Sequence, residues 1–216
     1  MPSLHCVQHP ILLDRITRLR DRTTDQRLFA HLLEEASFVL AVEATRDLGL
    51  QPTSVVTPLE EAKGAILAGS IALVPILRAG LGMLGPFRTL LPQAVVSFVG
   101  AWREETTLEP SVYLDLASGI DRDTSVLLLD PMLATGGTAT AILTRLKLRG
   151  AGQLRLICCL ASPDGIRRVQ ETHPDVAVYT GAIDRGLDSR GFILPGLGDA
   201  GDRQFGSCRL SSENEG

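Results

Sequence analysis

The sequence predicts an α/β fold, a central and mostly parallel sheet flanked by helices. Three observations carry that expectation. Short apolar runs at Ile71–Ile76, Ala94–Val99, Val126–Leu129, Leu154–Leu160 and Val176–Thr180 read as strands buried on both faces. Helical patterns separate most of them between about residues 66 and 180, the alternation that builds a covered parallel sheet. Charged residues, Arg78, Arg103 and Asp130, fall on or just after strand ends, where ligands bind in such sheets.

Taken in order, residues 1–13 read as an arm carrying His5, His9 and Pro10. Asp14–Arg22 reads as a short helix. A longer helix is expected from about Thr24 to Leu48, because Leu28, Phe29, Leu32, Leu33, Ala36, Val39, Leu40 and Ala44 recur at helical spacing. Thr23 or Thr24 is the expected cap. Residues 49–70, with Gly49, Pro52, Pro58 and a short Val55-Val56 run, read as a connection with a small accessory strand. After the Ile71–Ile76 strand a short helix is expected to about Leu90, and the Ala94–Val99 strand ends at Gly100. Residues 101–124 form a long polar excursion, the kind of loop that is either functional or itself paired as a hairpin. Helices are expected over Ala139–Arg149, closed by Gly150, and over Pro163–His173. The whole reads as one domain, residues 1–216: an arm and helices over 1–50, a core sheet over 66–180, a glycine-rich segment over 181–207 and a polar tail over 208–216.

Composition narrows the function classes. The net charge of −4 supplies no basic footprint for nucleic acid. No apolar run approaches the ~20 residues of a membrane span. The N-terminus lacks a basic-then-apolar leader, so a cytoplasmic location is expected. The four cysteines include no C-x-x-C spacing, and Cys158 and Cys159 sit inside an apolar run as small core residues.

The stretch that organises the chain is Ser125–Thr138, S-V-L-L-L-D-P-M-L-A-T-G-G-T. A buried strand ends in Asp130, a hydroxyl and glycine cluster follows, and a helix starts at once. That order builds an anion site. The free N–H groups of the first helical turn point at the loop, and the helix dipole favours negative charge there. Glycines let backbone close around a phosphate, and Thr135 and Thr138 offer hydroxyls. Asp130 repels phosphate but accepts hydrogen bonds from sugar hydroxyls beside it. The loop lacks the Gly-Lys-Ser/Thr of a nucleotide P-loop. A dinucleotide fingerprint at Gly80-x-Gly82-x-x-Gly85 is weak evidence, because Gly196-x-Gly198-x-x-Gly201 matches the same pattern without a strand–helix context.

Three segments together are more specific than any one: Val74-Pro75-Ile76-Leu77-Arg78-Ala79-Gly80-Leu81-Gly82-Met83, Asp130-Pro131-Met132-Leu133-Ala134-Thr135-Gly136-Gly137-Thr138, and Pro195-Gly196-Leu197-Gly198-Asp199-Ala200-Gly201-Asp202-Arg203. With Thr107-Leu108-Glu109-Pro110 between them, the chain closely resembles the uracil phosphoribosyltransferase family from His9-Pro10 to Phe205-Gly206. The resemblance implies a type I phosphoribosyltransferase fold and the reaction of uracil with phosphoribosyl diphosphate to give UMP and diphosphate, in pyrimidine salvage. It implies that Asp130, Pro131, Met132, Leu133, Ala134, Thr135, Gly136, Gly137 and Thr138 hold the phosphoribosyl group, with residues 134–138 on the 5-phosphate and Asp130 on the ribose hydroxyls. Arg78 and Arg103 would meet the diphosphate, since guanidinium forks suit phosphate oxygens. Asp199 would contact the phosphoribosyl moiety or the metal shell. Arg78, Arg103 and Asp199 are thus the expected catalytic residues. Ile193, Gly198, Asp199 and Ala200 would bind uracil, making residues 181–207 a hood over the base. Mg²⁺ is the expected cofactor, held through the diphosphate and by no direct protein ligand. The expected partners are uracil, phosphoribosyl diphosphate, a second copy of the chain (a homodimer or higher) and GTP as a candidate activator, with no nucleic acid and no membrane.

The chain departs from the family pattern at Ala30, Val42, Trp102 and Leu116, where the family usually carries Arg, Tyr, Tyr and Lys. The first two changes bear on packing or a subunit contact. The loss of a cation at Leu116 bears on diphosphate affinity. Two alternatives stand beside the enzyme: a sensor that binds uracil nucleotides or phosphoribosyl diphosphate without turnover, and a phosphoribosyltransferase for another base.

Overall fold

The computed structural model describes residues 4–103, 110–115 and 120–207, with backbone alone over 101–103 and 110–115. In chain order the elements are β1 (Leu4–Cys6), α1 (Pro10–Arg20), α2 (Gln26–Ala44), β2 (Leu50–Val56), β3 (Glu61–Leu67), β4 (Ile71–Leu77), α3 (Leu81–Leu90), β5 (Val95–Val96), β6 (Val99–Arg103), β7 (Pro110–Asp115), β8 (Ser125–Leu129), β9 (Met132–Leu133), α4 (Gly137–Leu148), β10 (Gln153–Ala161), α5 (Pro163–Thr172), β11 (Ala177–Ile183), β12 (Gly186–Leu187), β13 (Ile193–Leu194) and α6 (Ala200–Phe205).

The main sheet runs β1-β11-β10-β8-β4-β6-β7, with β5 beside β4 and β9 beside β10. Every described pairing in it is parallel except β6 with β7. Its strands alternate two ways because successive side chains point to opposite faces. Leu127, Leu129, Ile157 and Cys159 face a core built with α1, α2, α3 and α6. Val126, Leu128, Leu156 and Cys158 face a second core built with α4 and α5. The adjacent cysteines therefore belong to different cores. Burial pushes the Cys158 thiol up to about 12 and the Cys159 thiol up as well, so both stay protonated and inert.

Several boundaries differ from expectation. The arm is ordered: β1 joins the sheet edge through Leu4↔Val178, and α1 starts at Pro10, not Asp14. Proline is tolerated in a first helical turn because the missing N–H would be unpaired anyway. Helix α2 starts at Gln26 under an Asp25 cap, with Asp25 Oδ1 accepting from Leu28 N at 2.8 Å. Thr23 instead bonds Asp21, and the helix stops at Ala44. Residues 49–70 hold a two-stranded antiparallel hairpin, β2 with β3, that pairs with no described strand of the main sheet. The core sheet thus spans β1 and the region from β4 to β11, not residues 66–180. The expected Ala94–Val99 strand is broken into β5 and β6, and β6 runs past Gly100 to pair with β7. The polar excursion is in part a hairpin, β6 with β7. Residues 104–109 and Leu116 lie outside the described residues. No helix among the described residues is long and apolar enough to cross a membrane.

Candidate active site

Parallel strands place their carboxyl ends on one side of the sheet, and the candidate residues gather there. Asp130 directly follows β8, and the chain then returns to the sheet as β9 beside β10. Pro131 O accepts from Cys159 N (3.0 Å) and Leu160 N (3.1 Å), which anchors the turn. Residues 134–136 then pass over the start of α4. Gly136 caps that helix at φ +74°, a left-handed conformation that a side chain disfavours. Helix α5 packs its start on the same loop. Ser162 caps α5 through Gly165 N (2.9 Å) and donates to Ala134 O (2.6 Å). A Cβ on Gly165 would stand 2.8 Å from Leu133 O, so only glycine permits this approach. The result is a cavity of about 80 Å³ lined by Asp130, residues 132–136, Thr138 and Ala139. All but Ala139 are residues expected for the phosphoribosyl group, and Pro131 and Gly137, also expected, do not line it. Helix α4 aims its N-terminus at this loop, with no acidic residue in its first turn. A larger concavity of about 430 Å³ lies against β1 and touches none of these strand ends.

Arg78 follows β4, the neighbour of β8, across a cis Leu77–Arg78 bond. The turn is pressed onto the strand beside it: a Cβ on Gly80 would stand 2.7 Å from Ile76 N and also collide with Leu129 O. Gly80 and Gly82 therefore serve packing, not a dinucleotide. Arg78 Nη2 pairs with Asp202 Oδ1 at 3.0 Å, both side chains being about half exposed (57% and 43%). Such a pair contributes about 0–1 kcal/mol and yields easily to a phosphate.

The hood reaches the same place. Asp199 caps α6, its Oδ1 accepting from Asp202 N at 2.9 Å. Gln204 donates to Ala79 O (3.1 Å) and fills the space over Gly82, which ties α6 to the Arg78 turn. Ile193 and Ala200 are buried at the base of the hood, and Gly198 takes φ +82°. The structure thus brings together Arg78, Asp199 and the loop 193–200, beside Asp130 and residues 131–138. Arg103 ends β6, next to β4, and its side chain lies outside the described residues.

Three residues at this site carry weight that sequence reading missed. Arg20, at the end of α1, grips Asp184 with both guanidinium arms (2.7 and 2.6 Å) and donates to Gly196 O (2.9 Å). Asp184 Oδ2 also accepts from Gly196 N at 2.8 Å. One hood residue is therefore held by both of its backbone polar groups. Burial raises the Asp184 pKa, but the Arg20 and Gly196 hydrogen bonds outweigh it and hold the carboxyl below its ordinary range. Arg203 stands 4.3 Å over the Phe29 ring and donates to the carbonyls of Leu19, Leu197, Asp21 and Thr24. Asp184 had one legible signal, an acid just past a strand end. Arg20 had none, since its partner is 164 residues away.

Among the described residues no group of three His, Cys, Asp or Glu side chains is arranged to hold a metal ion. A Mg²⁺ that binds chiefly through phosphate oxygens asks for only one or two carboxylates, and Asp130 after β8 and Asp199 at the α6 cap are the candidates.

Comparison with known proteins agrees with this geometry. Residues 6–207 match a family model described as uracil phosphoribosyltransferase. The chain is 43% identical over 208 residues to a uracil phosphoribosyltransferase of Clostridium botulinum, covering 96% of this chain and 100% of that protein. It is 45% identical over 202 residues to one of Clostridium perfringens, covering 93% and 97%. Among solved structures, the AQ2163 protein from Aquifex aeolicus superposes with a TM-score of 0.91 at 33% identity over 94% of this chain and 98% of that one. A hypoxanthine-guanine phosphoribosyltransferase from Bacillus anthracis shares the fold at a TM-score of 0.51 and 15% identity, covering 74% and 80%.

Proposed function

The chain belongs to the uracil phosphoribosyltransferase family, and from that premise we propose how its own residues carry out the transfer. The reaction joins uracil to the phosphoribosyl group of phosphoribosyl diphosphate, giving UMP and diphosphate. The bond from the anomeric carbon to diphosphate oxygen breaks, and its electron pair leaves on diphosphate. N1 of uracil bonds to that carbon, and its proton passes to the departing diphosphate or to solvent. Positive character builds on the ring and negative charge on the leaving group, so catalysis is mainly positioning and electrostatics.

In this proposal residues 134–138 hold the 5-phosphate with backbone N–H groups and threonine hydroxyls, and Asp130 accepts from the ribose hydroxyls. Arg78 leaves Asp202 for the diphosphate. Arg103 joins it from the end of β6. Asp199 faces the phosphoribosyl group or the metal shell, and backbone groups of Ile193, Gly198, Asp199 and Ala200 read the two carbonyls and the N–H of uracil. A base with a mismatched donor or acceptor leaves one of these groups unpaired, which is how cytosine is refused. A Mg²⁺ brought in by the substrate, with Asp199 beside its shell, would supply neutralisation of the charge on the leaving group. The observation that carries the proposal is the meeting of three separate segments at one edge: the Arg78 turn against β8, the phosphate loop after β8, and the hood tied to Ala79 by Gln204.

We also infer self-association through the β2–β3 hairpin. It exposes Leu50 (64%) and Val56 (88%) on one face, Val55 and Ile66 on the other, and Leu59 (94%) at its turn, apolar surface that a second copy gripping the hairpin would cover. GTP is the proposed activator, and the proposed location, with the substrates, is the cytoplasm. The decisive assay mixes the protein with Mg²⁺, phosphoribosyl diphosphate and labelled uracil, with and without GTP. UMP formation suppressed in Arg78→Ala and Asp199→Ala supports these site assignments. Full activity in both variants would remove the two residues from the catalytic set.

A further inference from the structure

The phosphate loop is approached by a cation that the reading above does not use. Helix α5 packs its first turn on the loop at Gly165, and Arg168 is one turn further along the same helix face. Its stem lies over Gly136, where an added Cβ would stand 3.2 Å from Arg168 Cβ. Its head lies over Gly137, where an added Cβ would stand 3.3 Å from Nη1 and 3.7 Å from Cζ. That same point is 3.6 Å from the Thr135 hydroxyl oxygen. The guanidinium and the hydroxyl therefore face one space, over the first residue of α4.

Among the described residues no side chain hydrogen-bonds or ion-pairs with this guanidinium. The adjacent Arg167 pairs with Asp164 at 3.1 Å, whereas no carboxylate pairs with Arg168 among the described residues. The side chain is exposed, so it is hydrated and free to turn before substrate arrives. It stands beside the small cavity, not in its lining. The two adjacent glycines leave the room it occupies.

We propose that Arg168 is a further binding residue for the 5-phosphate that phosphoribosyl diphosphate and UMP share. The inference rests on the reading of residues 134–138 as the phosphate loop. A helix N-terminus offers only partial charge and single N–H groups. A guanidinium adds a full charge and a planar fork that matches phosphate oxygens. At this place it supplies a cation on the phosphate side of the substrate, in a chain that carries Leu116 where its family usually has a lysine.

The test compares Arg168→Ala, Arg168→Lys and Arg167→Ala with the parent, using the KM values of both substrates and inhibition by UMP and by inorganic diphosphate. UMP carries the 5-phosphate and diphosphate does not. Arg168→Ala is expected to weaken phosphoribosyl diphosphate and UMP together, on the order of tenfold, with diphosphate inhibition and the uracil KM unchanged. Arg168→Lys should recover part of the loss, and Arg167→Ala should match the parent. UMP inhibition of Arg168→Ala within twofold of the parent overturns the proposal. So does equal weakening of UMP and diphosphate, which would mark a general field effect. Thr135→Val separates the two readings. If it weakens UMP while Arg168→Ala does not, Arg168 alone is wrong. If neither variant weakens UMP, the phosphate-loop reading fails as well.

Discussion

Replacing Asp184 by alanine removes the centre of the clamp that holds the hood, and its cost follows from the geometry. The carboxylate is 5% exposed, Arg20 is 24% exposed, and the carboxylate accepts from both guanidinium arms and from Gly196 N. Truncation leaves the guanidinium with Gly196 O as its described partner and strands the Gly196 N–H. Removing one member of a buried ion pair costs about 3–5 kcal/mol. Water still reaches Arg20, so the lower end applies, about 3 kcal/mol. For a chain of this size that lowers Tm by about 6–12 °C. The pH dependence has a definite sign. Because the folded carboxyl is held below its ordinary range, its contribution is fully present above the unfolded value of about 3.9 and is lost as pH falls through the lowered folded value. The Tm gap between parent and variant should therefore be constant near neutrality and shrink only in strong acid. Function should follow: the uracil KM rises more than the phosphoribosyl diphosphate KM, because Gly196 belongs to the hood and not to the phosphate loop. Calorimetry across pH with both KM values checks this. A variant melting within about 1 °C of the parent at pH 7, with the uracil KM unchanged, would refute the clamp.

Arg203→Lys keeps the charge but cannot reproduce the fork onto four carbonyls, and should lower stability by about 1.5–3 kcal/mol in urea unfolding. Gly80→Ala forces a methyl against Ile76 N and O at 2.7 and 2.8 Å, so it should cost about 1–3 kcal/mol and reduce kcat/KM by moving the Arg78 turn. Arg78→Ala should lower kcat by about 10²–10³-fold if the guanidinium meets the leaving diphosphate, measured at saturating substrates. Val56→Glu with Leu59→Glu should shift the chain to a smaller species in sedimentation, because two charges would then sit in the exposed apolar surface of the hairpin.

Legibility followed the range of the interactions. Buried strands β4, β8, β10 and β11 were readable because continuous apolar runs have few other uses, and the turn from β8 into α4 was readable because strand, acid, glycines and helix are consecutive. Element ends were less so. A proline in a first turn looked like an arm, and Asp25 capped where threonines were expected, since either residue type satisfies the same free N–H groups. The accessory hairpin was half-seen, because Gly49, Pro52 and Pro58 read as a connection while the pairing itself is settled by register. Resemblance to the family placed Arg78, Asp199 and the hood in one site. No spacing in the chain did so.

By itself, then, the sequence determined the α/β class, the loop that favours an anion and the family, because each is written in contiguous residues. Only the tertiary structure decided how the separate segments meet: Gly80 against Leu129 O, Gln204 on Ala79 O, Arg20 on Asp184 and Gly196, Arg168 over Gly137. Each joins residues far apart in the chain. Such contacts leave no local periodicity or propensity, since they arise only after the parallel sheet has brought its strand ends to one edge.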